Sequence, residues 1–449
     1  MDADELRARV AVDMPRTIAE LERLVRIPSM GYPGYDPANV RASAEATHDI
    51  LADAGFVDVR LLELDGGHPA VFGQIEGPVD APTVLLYAHH DVQPEGPLDG
   101  WNSPPFEPEV RDGRLFGRGT ADDKSGIVIH AAAIRASAGD SPVTVKVLVE
   151  GEEECSTAHL PELIRGHADL LRADVAVVAD SGNYRTGVPT ITLSTRGVTD
   201  CVIRVRVLEQ PQHSGSYGGP MPDAISALSR IIASLHDDRG NVAIPGLLRT
   251  PWTGTHWAEV EFREEAGAVA GVELTGDGTI ADRVWGGPAA AVLGIDAPAI
   301  EGSSNQIVAE ASARVSLRVA PGEDAKEASE KLKAFLVAAA PWGVEAQIEG
   351  GAFEAGNGYV VDPAAPGYEA GRQAMAEAFG REVVEIGSGG SIPLVPMLAE
   401  TFPDIAVLMW GAMDERSNIH SVNESVDLGE IERTAVAEAR FLQLLAGRG

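Results

Sequence analysis

Histidine and carboxylate residues recur in this sequence just after short apolar runs, where a buried strand would give way to a loop. After TVLLY comes AHHDVQP, with His89 and Asp91. After VTVKVLVE comes GEEE, with Glu152, Glu153 and Glu154. The run DVAVVAD ends on Asp180, and IAVLMWG is followed by DERSNIHS, with His420. A fifth piece, GRGTADDKSG, sets Asp122 and Asp123 just ahead of a helix at Ser125. Imidazole nitrogens and carboxylate oxygens are the donors of hydrolytic metal centres. Each piece alone has a plainer explanation. His-x-Asp arises by chance, three successive glutamates are commonly a solvated charge run, and an aspartate after a strand is often a cap or turn residue. Their repeated position is what counts, because ligands of open α/β sheets gather beyond the carboxyl ends of parallel strands.

The elements that must position these groups are legible in outline. The run TVLLY is apolar throughout and bounded by Pro82 and polar residues, the pattern of a strand buried on both faces. VTVKVLVE, DVAVVAD and IAVLMWG read the same way, and VDVRLLEL and AVFGQIEG are further strand-like runs. Helices are expected from Asp4 to Val25, with Leu6, Val10, Met14, Leu21 and Leu24 on one side, and from Arg41 to Ala54, stopped by Gly55. SGIVIHAAAIRASAG predicts another, with Ile127, His130, Ala131 and Ile134 on one face and Gly139 as its stop. Strands alternating with helices imply an α/β domain with a mixed, largely parallel sheet.

The middle of the chain has a different period. TDCVIRVRVLE sets Ile203, Val205 and Val207 against Arg204 and Arg206, and ARVSLRVAP sets Val315, Leu317 and Val319 against Arg314, Ser316 and Arg318. Such alternation marks antiparallel strands with one face buried. PDAISALSRIIASLHD, with Ile225, Leu228, Ile231, Ile232 and Leu235 inward, and DAKEASEKLKAFLVAAA supply two amphipathic helices. Residues 197–355 therefore read as an inserted α+β domain, between a first catalytic segment at 1–196 and a second at 356–449 that ends in a helix.

Composition narrows the partners. Thirty-five Lys and Arg against 68 Asp and Glu leave a net charge of −33, which argues against a basic face for nucleic acid or anionic membrane. The two cysteines, Cys155 and Cys201, form no disulfide framework, and the N-terminus MDADELRARVAVDM lacks an apolar run. No stretch reaches the roughly 18 apolar residues of a membrane span. The expectation is a cytoplasmic protein.

YAHHDVQP, LFGRGTADDKSG, EGEEE, VVAD, QHSGSYGG, SGGSIP and NIHSVNE stand in one order along nearly the whole chain. In these motifs the sequence resembles the dinuclear zinc metallopeptidases that include carnosine dipeptidases, bacterial dipeptidases, aminoacylases, glutamate carboxypeptidase and acetylornithine deacetylase. The form HxDVQP looks most like the dipeptidase branch. The resemblance implies two divalent metal ions per subunit, zinc by the donor types, with manganese or cobalt as alternatives. It assigns His89 and Asp180 to one ion, Glu154 and His420 to the other, and Asp122 as the bridge, with a cis peptide between Asp122 and Asp123. Asp91 would orient His89, Glu153 would be the general base, and Glu152 would be left to solvent. His213 would help hold the tetrahedral oxyanion, reaching across from a partner subunit, so that a ferredoxin-like inserted domain serves as lid and dimerisation surface. Asn305 and Arg318 match positions that touch substrate, and Gly390 and Ser391 could hold its carboxylate through a backbone N–H and a hydroxyl. Arg318 equally suits a plain strand face, and His213 a loop.

Two departures stand out. Many relatives read REGGSIP where this chain has IGSGGSIP, so Ser388 replaces an acidic residue. Cys155 follows Glu154 where SGS is frequent; it reads as a small core residue, a nucleophile lacking any marked His partner. The expected activity is amide hydrolysis of dipeptides or small aminoacyl compounds. Deacylation of an N-acyl amino acid is the same chemistry in another pocket, and a metal-free binding relative is disfavoured because all six metal and base residues are present.

Overall fold

The computed structural model describes residues 1–137, 141–351 and 355–447. The chain divides into two compact units: Met1–Leu193 with Val361–Ile386 and Ile392–Gly449, and Ser194–Val360 with Gly387–Ser391. None of the described helices is long and apolar enough to cross a membrane.

The first unit is built on a six-stranded sheet of β1 (Val57–Leu62), β2 (Ala70–Ile75), β3 (Thr83–His89), β4 (Thr144–Glu150), β5 (Val175–Val178) and β6 (Ala406–Met409), in the order β1-β2-β4-β3-β5-β6. Strands β4, β3, β5 and β6 are mutually parallel, and β1 and β2 join antiparallel at one edge. Every residue of β3 from Val84 to His89 is buried, as a strand covered on both faces requires. The sheet is the mixed, largely parallel one expected.

Its helices start and stop where the local chemistry dictates. The Asp2 carboxylate accepts the N–H groups of Asp4 and Glu5 and starts α1 (Ala3–Val25), whose Leu6, Val10, Leu21 and Leu24 are fully buried. Helix α2 (Pro37–Ala54) begins four residues before the expected Arg41, because Asp36 caps it and Pro37 suits a first turn; Gly55, at φ +110°, ends it. Helix α3 (Lys124–Ala136) is buried on nearly every side, not on one face alone. The expected stop at Gly139 lies outside the described residues. His130 on α3 pairs through Nδ1 with Glu438 on α4 (Leu428–Ala446) at 2.9 Å and through Nε2 with the Tyr87 carbonyl of β3 at 3.1 Å.

The second unit sets two helices, Ala224–Ala233 and Ala325–Ala338, among four antiparallel strands in the order Ala289–Asp296, Glu310–Val319, Gly197–Arg206, Glu345–Gly350. This βαββαβ arrangement is ferredoxin-like. Ile203, Val205, Val315, Leu317 and Val319 form the inner sheet face against Leu228, Ile231, Leu332 and Leu336. Ile225 was expected inward but is 37 % exposed. The buried stripe runs through Ala224, Ala227, Leu228 and Ile231, and Ile225 sits about 100° round the helix from Ala224. Residues Gly387–Ser391, within the final segment of the sequence, pack with this unit.

Candidate metal centre

Four adjacent parallel strands deliver the predicted donors. His89 is the last residue of β3, Glu152–Glu154 form the turn after β4, Asp180 follows β5 by two residues, and His420 lies in the loop after β6. Donor atoms of His89, Glu153 and Asp180 lie within 4.8 Å of one another, and so do those of Asp122, Glu154 and His420. Asp122 stands between the two sets. Its Oδ1 is 3.0 Å from His89 Nε2 and its Oδ2 is 2.9 Å from His420 Nε2. Glu154 Oε2 is 3.3 Å from the same His420 nitrogen. The peptide between Asp122 and Asp123 is cis.

The surrounding groups orient these donors. His89 Nδ1 lies 3.1 Å from the Asp91 carbonyl oxygen and 3.5 Å from its carboxylate, so Asp91 aims the ring chiefly through its backbone. The Asp91 carboxylate is engaged elsewhere, accepting the N–H groups of Glu153 and Glu154 at 3.2 and 3.0 Å. The Gln93 amide donates to Glu154 Oε2 at 2.7 Å. Glu424, to which the sequence reading gave no role, organises the loop before α3. Its Oε1 accepts the N–H groups of Ala121 and Asp122, and its Oε2 accepts that of Gly119 and the Arg118 guanidinium at 2.6 Å. The NIHSVNE motif contains Glu424, but nothing in the motif alone says that its partners lie three hundred residues upstream. Glu152, expected in solvent, is 5 % exposed and bonded to the His68 N–H and the His159 ring. Alternation along a turn does not require every second side chain to face water when a neighbouring loop covers it.

Charge is crowded here. Burial, then the Asp180 carboxylate, pushes Glu153 well above the usual carboxylate range. Asp180 is pushed up to about 7 by burial and by Asp122, and Glu154 is raised by the same two causes. Burial would raise Asp122 too, but hydrogen bonds from His420 and His89 outweigh it and hold the group low. For His420, burial pulls downward, yet Asp122 and Glu154 win and lift it to about 11. Four carboxylates pressed around two imidazoles make a poor resting arrangement for bare side chains and a good one for two divalent cations, and the nitrogen and oxygen donor set suits zinc.

The remaining predicted residues lie in the second unit. His213 Nδ1 accepts the N–H groups of Gly215 and Ser216 at 3.1 and 3.2 Å. An accepting Nδ1 places the ring proton on Nε2, so the exposed nitrogen of neutral His213 is a donor. Beside it, the Asn305 carbonyl accepts the Ser214 N–H at 3.0 Å and its hydroxyl at 2.9 Å, and His213 pairs with Gln306 across a short two-stranded ladder. Arg318 donates to Ser391 Oγ at 3.1 Å. The Ser391 hydroxyl in turn donates to the Arg196 carbonyl at 2.6 Å, and the Arg196 side chain donates to the Gly389 carbonyl at 3.0 Å. Arg196, which no sequence signal marked, thereby holds the loop that brings Arg318, Gly390 and Ser391 together. The Gly390 N–H, expected free for a carboxylate, donates to Ser388 Oγ at 3.1 Å. Ser388, in place of an acidic residue, caps its own loop.

Comparison with known proteins places the sequence in a family. Residues 85–444 match the model of peptidase family M20/M25/M40. A cysteinylglycine-S-conjugate dipeptidase of Corynebacterium striatum is 38% identical over 424 residues, 91% of this chain and 92% of that one. A Cys-Gly metallodipeptidase of Schizosaccharomyces pombe is 28% identical over 83% of this chain and 82% of its own. The fold is shared with the dipeptidase Dug1p of Saccharomyces cerevisiae (TM-score 0.84, 22% identity, 99% and 98% of the two chains) and with human carnosine dipeptidase 1 (TM-score 0.83, 23% identity, 99% and 98%). With the matched region taking in all five predicted ligands and the base, the chain belongs to peptidase family M20/M25/M40.

Proposed function

We propose that this chain hydrolyses the amide bond of dipeptides or similarly small aminoacyl compounds, with S-substituted cysteinylglycines among the first substrates to test. The observation that carries the reading is Asp122 set between His89 and His420 at 3.0 and 2.9 Å, with Glu153 beside His89 and Asp180. His89 with Asp180, and Glu154 with His420, would each hold one divalent cation, zinc by donor type, with Asp122 shared. Such a pair supplies Lewis acidity toward the scissile carbonyl and acidifies a water. Glu153 accepts a proton from the attacking water and delivers it to the leaving amine nitrogen as the C–N bond breaks. His213, reaching across from a partner subunit as the resemblance implies and carrying its proton on Nε2, would donate to the carbonyl oxygen as it becomes the oxyanion of the tetrahedral intermediate. Asn305 and Arg318 are proposed substrate contacts, and Arg318 suits a carboxylate because its planar fork can bond both oxygens. Gly390 and Ser391, whose N–H and hydroxyl proton are engaged by Ser388 and the Arg196 carbonyl, would contact substrate only by exchanging those bonds. Resemblance further supports a homodimer formed through the second unit. The two free cysteines, Cys155 and Cys201, and the similarity to Cys-Gly dipeptidases support a cytoplasmic location.

Metal analysis together with a panel of dipeptides and N-acyl amino acids, with and without chelator, tests the reading. Two ions per chain at the centre formed by His89, Asp122, Glu154, Asp180 and His420, and chelator-sensitive dipeptide cleavage, are expected. Activity confined to N-acyl amino acids would replace the dipeptidase reading, and full activity in metal-depleted protein would end the mechanism.

A further inference from the structure

Outside the five-ligand centre, one other group of metal-type side chains converges among the described residues of the first unit. His68, Glu152 and Cys155 each offer a donor atom, and the three atoms lie within 4.8 Å of one another. The segments differ in origin. His68 comes from the loop before β2, whereas Glu152 and Cys155 flank Glu153 and Glu154 in the turn after β4. Donors of a tetrahedral zinc site, at about 2.0–2.3 Å from the ion, stand roughly 3.3–3.8 Å apart, so small side-chain adjustments would close the set.

The groups around the three are those that orient ligands. A backbone carbonyl can only accept, so the 3.1 Å contact from His68 Nε2 to the Gly31 carbonyl puts the ring proton on Nε2 and leaves a lone pair on the other nitrogen. Glu152 is steered from two sides, by the His68 N–H at 3.1 Å and by His159 Nδ1 at 2.8 Å. Its carboxylate is 6 % exposed. The Cys155 thiol has only a 3.9 Å contact with the Glu152 carbonyl. Backbone packs close against the cluster. A Cβ at Gly31 would stand 2.5 Å from Cys155 Sγ, and one at Gly67 would stand 2.8 Å from the His159 ring. Glycine at both positions leaves these side chains room to meet.

We propose that His68, Glu152 and Cys155 form a third cation site, adjoining but distinct from the dinuclear centre, for a thiophilic divalent ion such as zinc. Sulfur, nitrogen and oxygen donors together favour zinc, cobalt or cadmium over magnesium or calcium. Three protein ligands leave one position for water. Binding releases the Cys155 thiol proton, since the thiolate is the ligand. An ion there ties the His68 loop to the turn that carries Glu153 and Glu154, giving metal availability a handle on the proposed base without touching substrate.

Cobalt reads this site separately, because the proposed ligands of the dinuclear centre include no sulfur. Metal-free full-length protein is titrated anaerobically with Co(II), recording bound equivalents and thiolate-to-cobalt charge-transfer absorption in the near ultraviolet. Three equivalents are expected, with the sulfur band present. Cys155→Ser should lower the count to two and abolish the band, and His68→Gln should weaken that one equivalent by tenfold or more. Cys201 lies buried in the other unit and serves as the internal control. Asp122→Ala separates the two assignments: the sulfur band persists there if this site exists, whatever happens to the other ions. Saturation without a sulfur band, or a band that survives Cys155→Ser, overturns the proposal.

Discussion

The carboxylate of Asp91 accepts the backbone N–H of Glu154 at 3.0 Å, binding the end of β3 to the turn after β4. One residue thus aims His89 with its carbonyl and fixes the paired glutamates with its side chain. Asp91→Ala should keep most of the metal and lower turnover by about 10–100-fold, the range for groups that orient ligands. Metal analysis beside kcat decides it; an unchanged kcat would mean that the turn holds its shape unaided.

Glu153→Gln should retain both ions while losing about 10²–10⁴-fold in turnover, the usual worth of a general base. Asp122→Ala should instead empty or scramble both positions. Metal content and rate, measured on the same preparations, distinguish the two residues. Full activity in Glu153→Gln removes Glu153 as the base, and two ions surviving at the centre of His89, Glu154, Asp180 and His420 in Asp122→Ala, measured in a Cys155→Ser background, contradicts bridging.

Arg118 and Glu424 are a buried pair, 2 % and 0 % exposed, joined at 2.6 Å. Removing one charge strands the other, which typically costs about 3–5 kcal/mol. Glu424→Gln should therefore lower the unfolding free energy by about that amount and also loosen metal binding, since the loop bearing Asp122 hangs from the same carboxylate. A denaturant titration showing no loss would place this loop's stability elsewhere.

His130 faces two acceptors, the Glu438 carboxylate and the Tyr87 carbonyl, so both ring nitrogens must donate and the imidazole is charged. Burial pulls its pKa down, but the Glu438 charge and hydrogen bonds outweigh that and raise it above the ordinary 6.5. With the raised value in the folded state, the stabilisation is complete below about pH 6.5 and fades as pH climbs through the folded value. The stability gap between wild type and Glu438→Gln should accordingly be widest below that pH and shrink above it. Unfolding free energies across the range that show a constant gap would reject a charged His130.

The strands and the ligand-bearing turns were legible because burial on both faces writes a continuous apolar run, and the chain cannot hide where such a run breaks into His, Asp and Glu. The start of α2 was misplaced because Asp36 and Pro37 act through local capping that hydrophobic period does not register. Glu152 was misjudged because its cover, the His68 loop and the His159 ring, is remote from the turn in which it sits. Arg196 escaped notice, and what Ser388 does in place of the acidic residue could not be read, for a related reason: each acts on backbone groups of a loop, and backbone carries no residue signature.

By itself the sequence determined the classes of donor, their order along the chain, the two folding periods and the family. Those follow from side-chain chemistry and local burial. Tertiary structure alone decided that four neighbouring parallel strands bring His89, Glu154, Asp180 and His420 around Asp122, that the Asp91 carboxylate serves the glutamate turn more than the imidazole, and that the Gly390 N–H is already taken. Hydrogen bonds are settled by distance and direction among groups that chain order leaves far apart, and only the folded sheet supplies those.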